Sequence, residues 1–216
     1  MSRHDAAWDA GTGNGQAAVS LAEHFAHVVA TDASAAQIAA AAAHPRVAYC
    51  VARAEASGLA SASAELVTVA QALHWFDIPA FFGEAQRVVR PGGVVAIWTY
   101  GLMTIDPAID DRIESFELHT VGPYWPAARA LVDSGYATIQ FPFAEIDLPR
   151  FMIEQEMSLD RLAGYVGTWS SVAGYVKARG EDPVAPFVAD IAAWWGDPAR
   201  ARIVRFPMTV RAGRRT

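Results

Sequence analysis

The chain contains a single cysteine, a single lysine and no long apolar run, and each scarcity removes a class of protein. One thiol, Cys50, cannot close an intrachain disulfide, which points to a reducing cytoplasm. Apolar neighbours on both sides mark Cys50 as a small buried hydrophobe rather than a nucleophile. No apolar stretch approaches the ~20 residues that cross a bilayer as a helix, and Met1-Ser2-Arg3-His4-Asp5 lacks the shape of a signal peptide. No membrane association is expected. The cysteine and the scattered histidines show no metal-ligand spacing, so no metal is expected either. Arginine and alanine are abundant while lysine is reduced to Lys177, which reads as the coding bias of a GC-rich genome. The net charge of −6 argues against a broad nucleic-acid surface, and Arg211, Arg214 and Arg215 read as a solvated C-terminal tail.

What the chain does have is glycine at a telling place. Its 216 residues, 53% hydrophobic and 19% charged, fit one globular domain, either with a large core or with an appended subdomain. In Trp8-Asp9-Ala10-Gly11-Thr12-Gly13-Asn14-Gly15-Gln16 an acid ends a short apolar run, glycine takes every second position, and a helical pattern follows. Glycine admits backbone angles closed to other residues and puts no Cβ in a ligand's path. A turn of this kind at the carboxyl edge of a parallel sheet binds cofactors; the alternative is an ordinary glycine-rich loop. A dinucleotide fingerprint, Gly-x-Gly-x-x-Gly, wants its third glycine where Gln16 stands, which disfavours a nicotinamide-dependent oxidoreductase. His27 to Thr31 reads as a strand, and Asp32 follows it about twenty residues past the first glycine, the place of a ribose-binding carboxylate. One carboxylate can accept from both ribose hydroxyls. Asp32, or Ser34, could also cap a helix beginning near Ala35.

The first hundred residues alternate strand-like and helix-like segments, the signature of a parallel α/β sheet. Ala18, Leu21, Ala22 and Phe25 recur at helical spacing; Ala35 to Ala43 is a second helix, stopped before His44-Pro45. Val47 to Val51 and Glu65 to Ala70 read as strands, Asp77 to Arg90 as a helix, and Pro91-Gly92-Gly93 as the turn into a fifth strand, Val94 to Trp98. Met103 to Pro149, rich in proline and aromatics, reads as a lid or binding insertion. Beyond it a strand is expected at Phe151 to Met157, helices around Leu159 to Ala178 and Val184 to Trp195, and a final strand at Ile203 to Val210. Pro207 would place that last strand at an edge or a bulge. The expected division is a core over residues 1–101, an insertion over 102–149, and strands and helices over 150–216 that complete the same domain.

Four blocks in order resemble the type 11 family of class I S-adenosylmethionine (SAM) dependent methyltransferases, and within it the trans-aconitate methyltransferase-like group. They are Asp9 to Gln16, Val29-Ala30-Thr31-Asp32, Ala54-Glu55-Ala56-Ser57-Gly58-Leu59 and Gln71-Ala72-Leu73-His74-Trp75-Phe76, followed by Arg87-Val88-Val89-Arg90-Pro91-Gly92-Gly93. The resemblance implies a Rossmann-like, doubly wound, seven-stranded α/β sheet, mostly parallel with a C-terminal antiparallel hairpin. It assigns Asp9, Ala10, Gly11, Thr12, Gly13, Gly15 and Gln16 to the methionine end of SAM. Asp32 with Ala33 goes to the ribose, Ala54-Glu55 to the adenine edge, and Gln71 to the border of the methionine moiety. Arg53 departs from the family pattern, in which many relatives carry an acid near the adenine amino group. Relatives also carry helices before the first strand, whereas seven residues precede Trp8 here. The expectation is a truncated chain, or a Met103 to Pro149 insertion that covers the site alone; a missing lid would leave the site wet and its electrostatic contacts weak.

Methyl transfer is an in-line displacement at an activated carbon, so alignment and exclusion of water dominate. The resemblance therefore implies transfer to a small-molecule acceptor, a carboxylate or hydroxyl, by a monomer or homodimer. A base serves only an acceptor with a proton to lose, and His74, just past the fourth strand, is the candidate; packing against Trp75 and Phe76 is its structural alternative. Trp75, Tyr100, Trp125, Tyr136 and Trp169, along with Trp98, are candidates for an acceptor wall or a cation–π contact with the sulfonium. Ordinary core packing is the competing role. A SAM-binding protein without turnover stays open as a second reading.

Overall fold

The computed structural model describes residues 4–216; Met1, Ser2 and Arg3, the head of the stretch read as unlike a signal peptide, lie outside the described residues. The chain divides into two units. One holds everything described up to Thr99 together with Ser134–Arg150 and Thr209–Thr216; the other holds Tyr100–Asp133 and Phe151–Met208.

The first unit is built on the expected α/β sheet. Strands β1 (His4–Ala10), β2 (Phe25–Asp32), β3 (Val47–Val51), β4 (Ala64–Ala70) and β5 (Val89–Tyr100) alternate with helices α1 (Gln16–Leu21), α2 (Ala35–Ala39) and α3 (Ile78–Val88). A single 3-10 turn, Leu73–Trp75, lies between β4 and α3. The strand order is β3-β2-β1-β4-β5, continued by β8 (Arg202–Arg214) and the short β6 (Ala144–Glu145), with β7 (Phe151–Met157) pairing to β8 off this path. The pairs among β1 to β5 are parallel, and β8 is antiparallel to both β6 and β7. The path of seven strands is the Rossmann-like sheet that the resemblance implied, and β7 adds an eighth strand beside it. Strand order reverses between β1 and β4, and ligands of open α/β sheets bind beyond the carboxyl ends of strands at such a point.

β1 is the central strand, and Ala7 to Ala10 are sealed at 2% exposure or less. Small side chains let α1 lie close: Ala18 and Ala22 are fully buried against Ala7, Phe25, Val28 and Ala30. Trp8 satisfies its one polar atom by donating from Nε1 to Thr31 Oγ1 at 2.9 Å, so a full indole can be buried without an orphan donor.

Several boundaries depart from the expectations. α2 stops at Ala39 rather than Ala43, because none of its residues is buried and alanine propensity alone does not sustain so short a helix. α3 starts after Asp77, whose carboxylate caps Ala80 N at 3.2 Å, and ends at Val88. Pro91-Gly92-Gly93 is not a turn before β5 but a bulge within it: the register jumps from Ala64↔Val89 to Leu66↔Val94, and Gly92 takes φ +75°. Cys50 is exposed rather than buried, because β3 is the edge strand and short α2 leaves its end uncovered.

The second unit is mostly helical. It comprises α4 (Pro107–Ser115), a π turn at Phe116–Thr120, a 3-10 turn at Gly122–Tyr124, α5 (Arg129–Asp133), β7, α6 (Leu159–Gly167), α7 (Ser170–Arg179), α8 (Val184–Trp195) and the first half of β8. Its core gathers Met103, Ile109, Ile113, Leu162, Val166, Ile191 and Val204, with Phe116 stacked on Phe187 at 4.4 Å. The single helix expected over Leu159 to Ala178 is two, because Trp169 takes extended angles and turns its indole into this core. Pro207 sits inside β8 opposite Met152, not at an edge. A strand residue's N–H and C=O point the same way, so its missing donor faces Gly101, whose own N–H bonds the Pro207 carbonyl at 2.9 Å. Among the described residues no helix is long and apolar enough to cross a membrane.

Candidate active site

Three strand ends supply the site. β1 runs into the glycine loop, β2 ends at Asp32, and β4 ends just before Gln71. Gly11, Gly13 and Gly15 take φ of +67°, +57° and +89°, the left-handed region that favours glycine. Space adds a second demand at two of them. A Cβ on Gly11 would lie 2.7 Å from Ala72 Cβ and 2.8 Å from Phe76 Cζ, and one on Gly15 would lie 2.3 Å from the Tyr49 hydroxyl. The loop is thus glycine partly to accept the protein's own side chains.

Two acids hold the loop. Asp9 is fully buried, and its carboxylate accepts from Thr12 Oγ1 at 2.6 Å and Thr68 Oγ1 at 2.7 Å. Burial pushes its pKa up to about 6; the two threonine hydrogen bonds oppose the rise and the nearby Asp32 adds to it. Asp32 accepts from Gly13 N at 2.9 Å through Oδ2 and from Ser34 N at 2.8 Å through Oδ1. Ser34, not Asp32, is the N-cap of α2, accepting from Gln37 N. Each Asp32 oxygen has capacity for a further donor.

Beside Asp32 opens a groove of about 480 Å³ lined by Gly11, Asp32, Ala33, Ala52, Arg53, Ala54, Glu55, Ala72, Trp75 and Phe76. Glu55 is committed within it: Oε1 accepts from Asp77 N at 2.8 Å and Oε2 pairs with Arg53 Nε at 3.2 Å. Burial works to raise its pKa, but those bonds outweigh it and hold the carboxyl below the usual range. Trp75 stands at the groove 62% exposed, an unusual degree for an indole.

Of the residues singled out from the sequence, Gly11, Asp32, Ala33, Ala54 and Glu55 meet at this groove, and so does Trp75, which had been assigned to the acceptor. Asp9, Ala10, Thr12, Gly13, Gly15, Gln16 and Gln71 do not line it. Asp9, Thr12 and Gly13 act instead within the loop through the bonds above, and Gln16 opens α1 exposed to solvent. Gln71 takes φ +53° and receives a 2.6 Å hydrogen bond from Thr99 Oγ1. His74 Nδ1 lies 3.0 Å from the hydroxyl of Tyr136, which is 1% exposed and whose pKa burial pushes up to about 12. Trp125 and Trp169 pack together at 5.6 Å in the second unit, where Tyr100 meets Phe206 at 5.6 Å. Ala52, Ala72 and Phe76 were missed as groove residues. Ala72 and Phe76 left a trace, as members of the Gln71 to Phe76 block. Thr68 and Thr99 were missed too; each is a polar side chain in a largely apolar stretch of strand, now explained by Asp9 and Gln71.

The chain is similar to several known proteins. Residues 8–97 match the type 11 methyltransferase-domain family. A Dictyostelium discoideum protein provisionally named as a methyltransferase is 37% identical over 183 residues, covering 83% of this chain and 70% of its own. The Aspergillus candidus methyltransferase CfoB is 31% identical over 161 residues, covering 64% of this chain and 50% of its own. A solved structure from Anaeromyxobacter dehalogenans, provisionally named a type II methyltransferase, superposes with a TM-score of 0.91 at 44% identity, covering 98% of this chain and 90% of its own.

Proposed function

The chain belongs to the type 11 methyltransferase-domain family and is a SAM-dependent methyltransferase, and from that premise we propose that it methylates a small molecule bearing a carboxylate or a hydroxyl. This sets aside the nicotinamide reading. We place it with the trans-aconitate methyltransferase-like group, on the strength of the four sequence blocks.

The observation that carries the cofactor assignment is the pairing of Asp32 with the groove beside it. A volume of about 480 Å³ is ample for an adenosine, since small-molecule sites run from roughly 300 to 1,000 Å³. Glycine and alanine make up half of its lining, so a flat base can approach the backbone. Asp32 accepts from the ribose hydroxyls, already held in place by Gly13 N and Ser34 N. Ala33, Ala54 and Glu55 border the adenine, and Asp77 N and Arg53 keep Glu55 ionised and oriented. The glycine loop and Gln71 border the methionine end, while Asp9 acts on it indirectly by fixing Thr12. Trp75 covers the cofactor rather than the acceptor.

Bound SAM supplies an electrophilic methyl carbon; the chain orients the acceptor, excludes water and manages its proton. His74 takes the proton of a hydroxyl acceptor, and a carboxylate has none to lose. Tyr100, Trp125 and Trp169 remain acceptor candidates; Trp125 lines a cavity of about 660 Å³ in the second unit. The protein works in a reducing cytoplasm as a monomer or homodimer, which suits the exposed free thiol of Cys50.

Incubation with methyl-labelled SAM and a panel of small carboxylic acids and hydroxy compounds tests the reading. Label appearing on one such acceptor supports it. Cofactor binding without transfer to any of them contradicts it.

A further inference from the structure

The groove beside Asp32 has two walls that arrive separately along the chain, Ala52 to Glu55 after β3 and Ala72 to Phe76 after β4. The first wall leaves the sheet at Ala52, whose N–H bonds the Asp32 carbonyl at 3.0 Å. It then hangs from an edge strand, and two carboxylates fasten it to the helix that follows the second wall. Glu55 Oε1 accepts from Asp77 N at 2.8 Å, at the head of α3. Glu84 Oε1 accepts from Ser57 N at 2.9 Å and from Ser57 Oγ at 2.6 Å. Asp77 and Glu84 stand two turns apart along one side of α3, about 10 Å in rise. One attachment would let the wall pivot. Two so far apart fix its angle as well as its distance.

The Glu84 carboxylate is itself tightly held. Arg87, one turn on, donates to Oε2 from Nε and to Oε1 from Nη2, both at 2.8 Å, and its Nη1 reaches Ser61 Oγ at 3.1 Å. The bonds from Arg87 and then Ser57 outweigh burial and bring the Glu84 pKa down to about 2. The Glu84 side chain is 10% exposed, so an outward shift of Ser57 would leave a shielded charge short of two donors. The wall therefore resists displacement, although neither Ser57 nor Glu84 lines the groove.

We propose that Glu84, oriented by Arg87, is a positioning residue for the cofactor: through Ser57 it sets the width of the slot that takes adenine, and so how large a base the site admits. The inference rests on the reading of this groove as the SAM site. Glu55 is the second strut, both of its oxygens engaged by Asp77 N and Arg53 Nε. The clamp also gives one reason for a buried ionised acid and a serine, 8% exposed, that touch no ligand in the groove themselves.

Calorimetric titration of three ligands tests the clamp: S-adenosylhomocysteine, its N6-methyl analogue altered at the base, and its 2′-deoxy analogue altered at the ribose. The wild type is expected to bind the N6-methyl analogue about tenfold more weakly than the parent, the cost of one extra methyl in a packed slot. Glu84→Ala should lower that ratio to about threefold or less and leave the 2′-deoxy penalty as it was. Ser57→Ala, which removes the shorter bond to Glu84 and keeps the other, should move the base ratio the same way, and it carries the test if Glu84→Ala does not fold. Affinity lost in proportion for all three ligands, an unchanged base ratio, or a wild type indifferent to the methyl would overturn the proposal. Asp32→Ala separates the two readings, because it should remove the 2′-deoxy penalty. If that penalty persists, the SAM-site reading fails and this inference falls with it. If it disappears while the base ratio holds in Glu84→Ala and Ser57→Ala, the clamp alone fails.

Discussion

Asp32 and Gly13 are joined across 19 residues of sequence: the Asp32 carboxylate accepts from Gly13 N at 2.9 Å. The acid at the end of β2 and the loop after β1 therefore form one structural piece. The loop's backbone thereby fixes the Asp32 rotamer on which the proposed ribose contact depends. Thr12 N, bonded to Thr31 O at 2.9 Å, adds a second tie between the same two strands.

Asp9 makes stability depend on pH in a direction opposite to most carboxylates. Its folded pKa of about 6 lies above the ordinary value of 3.8, so between those limits the folded chain holds a proton that the unfolded chain releases. Its stabilising contribution is complete below about pH 4 and is lost as pH rises through about 6, a loss of about 3 kcal/mol. Glu84, hydrogen-bonded by Arg87 and held near 2, acts in the opposite sense, its contribution falling as pH drops below the unfolded value of 4.5, so the comparison is made between two proteins that both keep it. Urea denaturation of wild type and Asp9→Asn at several pH values between 4.5 and 7 measures the effect. The difference between the two should change with pH; parallel curves would mean that Asp9 ionises normally.

Gly15 has no tolerance for a methyl group. Gly15→Ala faces a left-handed backbone, costing about 1–2 kcal/mol, and a clash with Tyr49 of the overpacking kind, costing about 1–3 kcal/mol more. Equilibrium unfolding should show the sum, and adding Tyr49→Phe should return part of it. No recovery in the double variant would assign the whole cost to the backbone.

Trp75 is exposed enough to remove without harming the fold. Trp75→Ala is expected to leave the unfolding midpoint within the ±0.5 kcal/mol scatter of surface changes while weakening binding of S-adenosylhomocysteine several-fold. Trp75→Phe should retain most of the affinity. Titration calorimetry on both variants reads this, and unchanged affinity in the alanine variant would remove Trp75 from the cofactor side.

The parts of the site that follow local rules were legible in the sequence. Glycine spacing and an acid at the end of the next strand are local signals, and Gly11, Asp32, Ala33, Ala54 and Glu55 do share one groove. β3, β7 and α8 fall where their patterns predicted. Misreadings arose where distant chain decides the outcome. Cys50 is exposed because β3 is an edge strand, which its own apolar neighbours do not encode. That Trp75 would share a groove with Asp32 and Glu55 was not legible either, because the chain between them folds through β3 and β4. Thr99 and Gln71 stand 28 residues apart, and Tyr136 and His74 stand 62 apart, so no window of sequence contains either pair.

The central claim, that the groove beside Asp32 is the SAM site, is tested most directly by titrating S-adenosylhomocysteine into wild type and Asp32→Ala by calorimetry. An unpaired ribose contact costs about 1–3 kcal/mol, so the variant should remain folded and bind at least about tenfold more weakly. Equal affinity for the two proteins would contradict the assignment, leaving Asp32 to serve only the loop and the turn before α2.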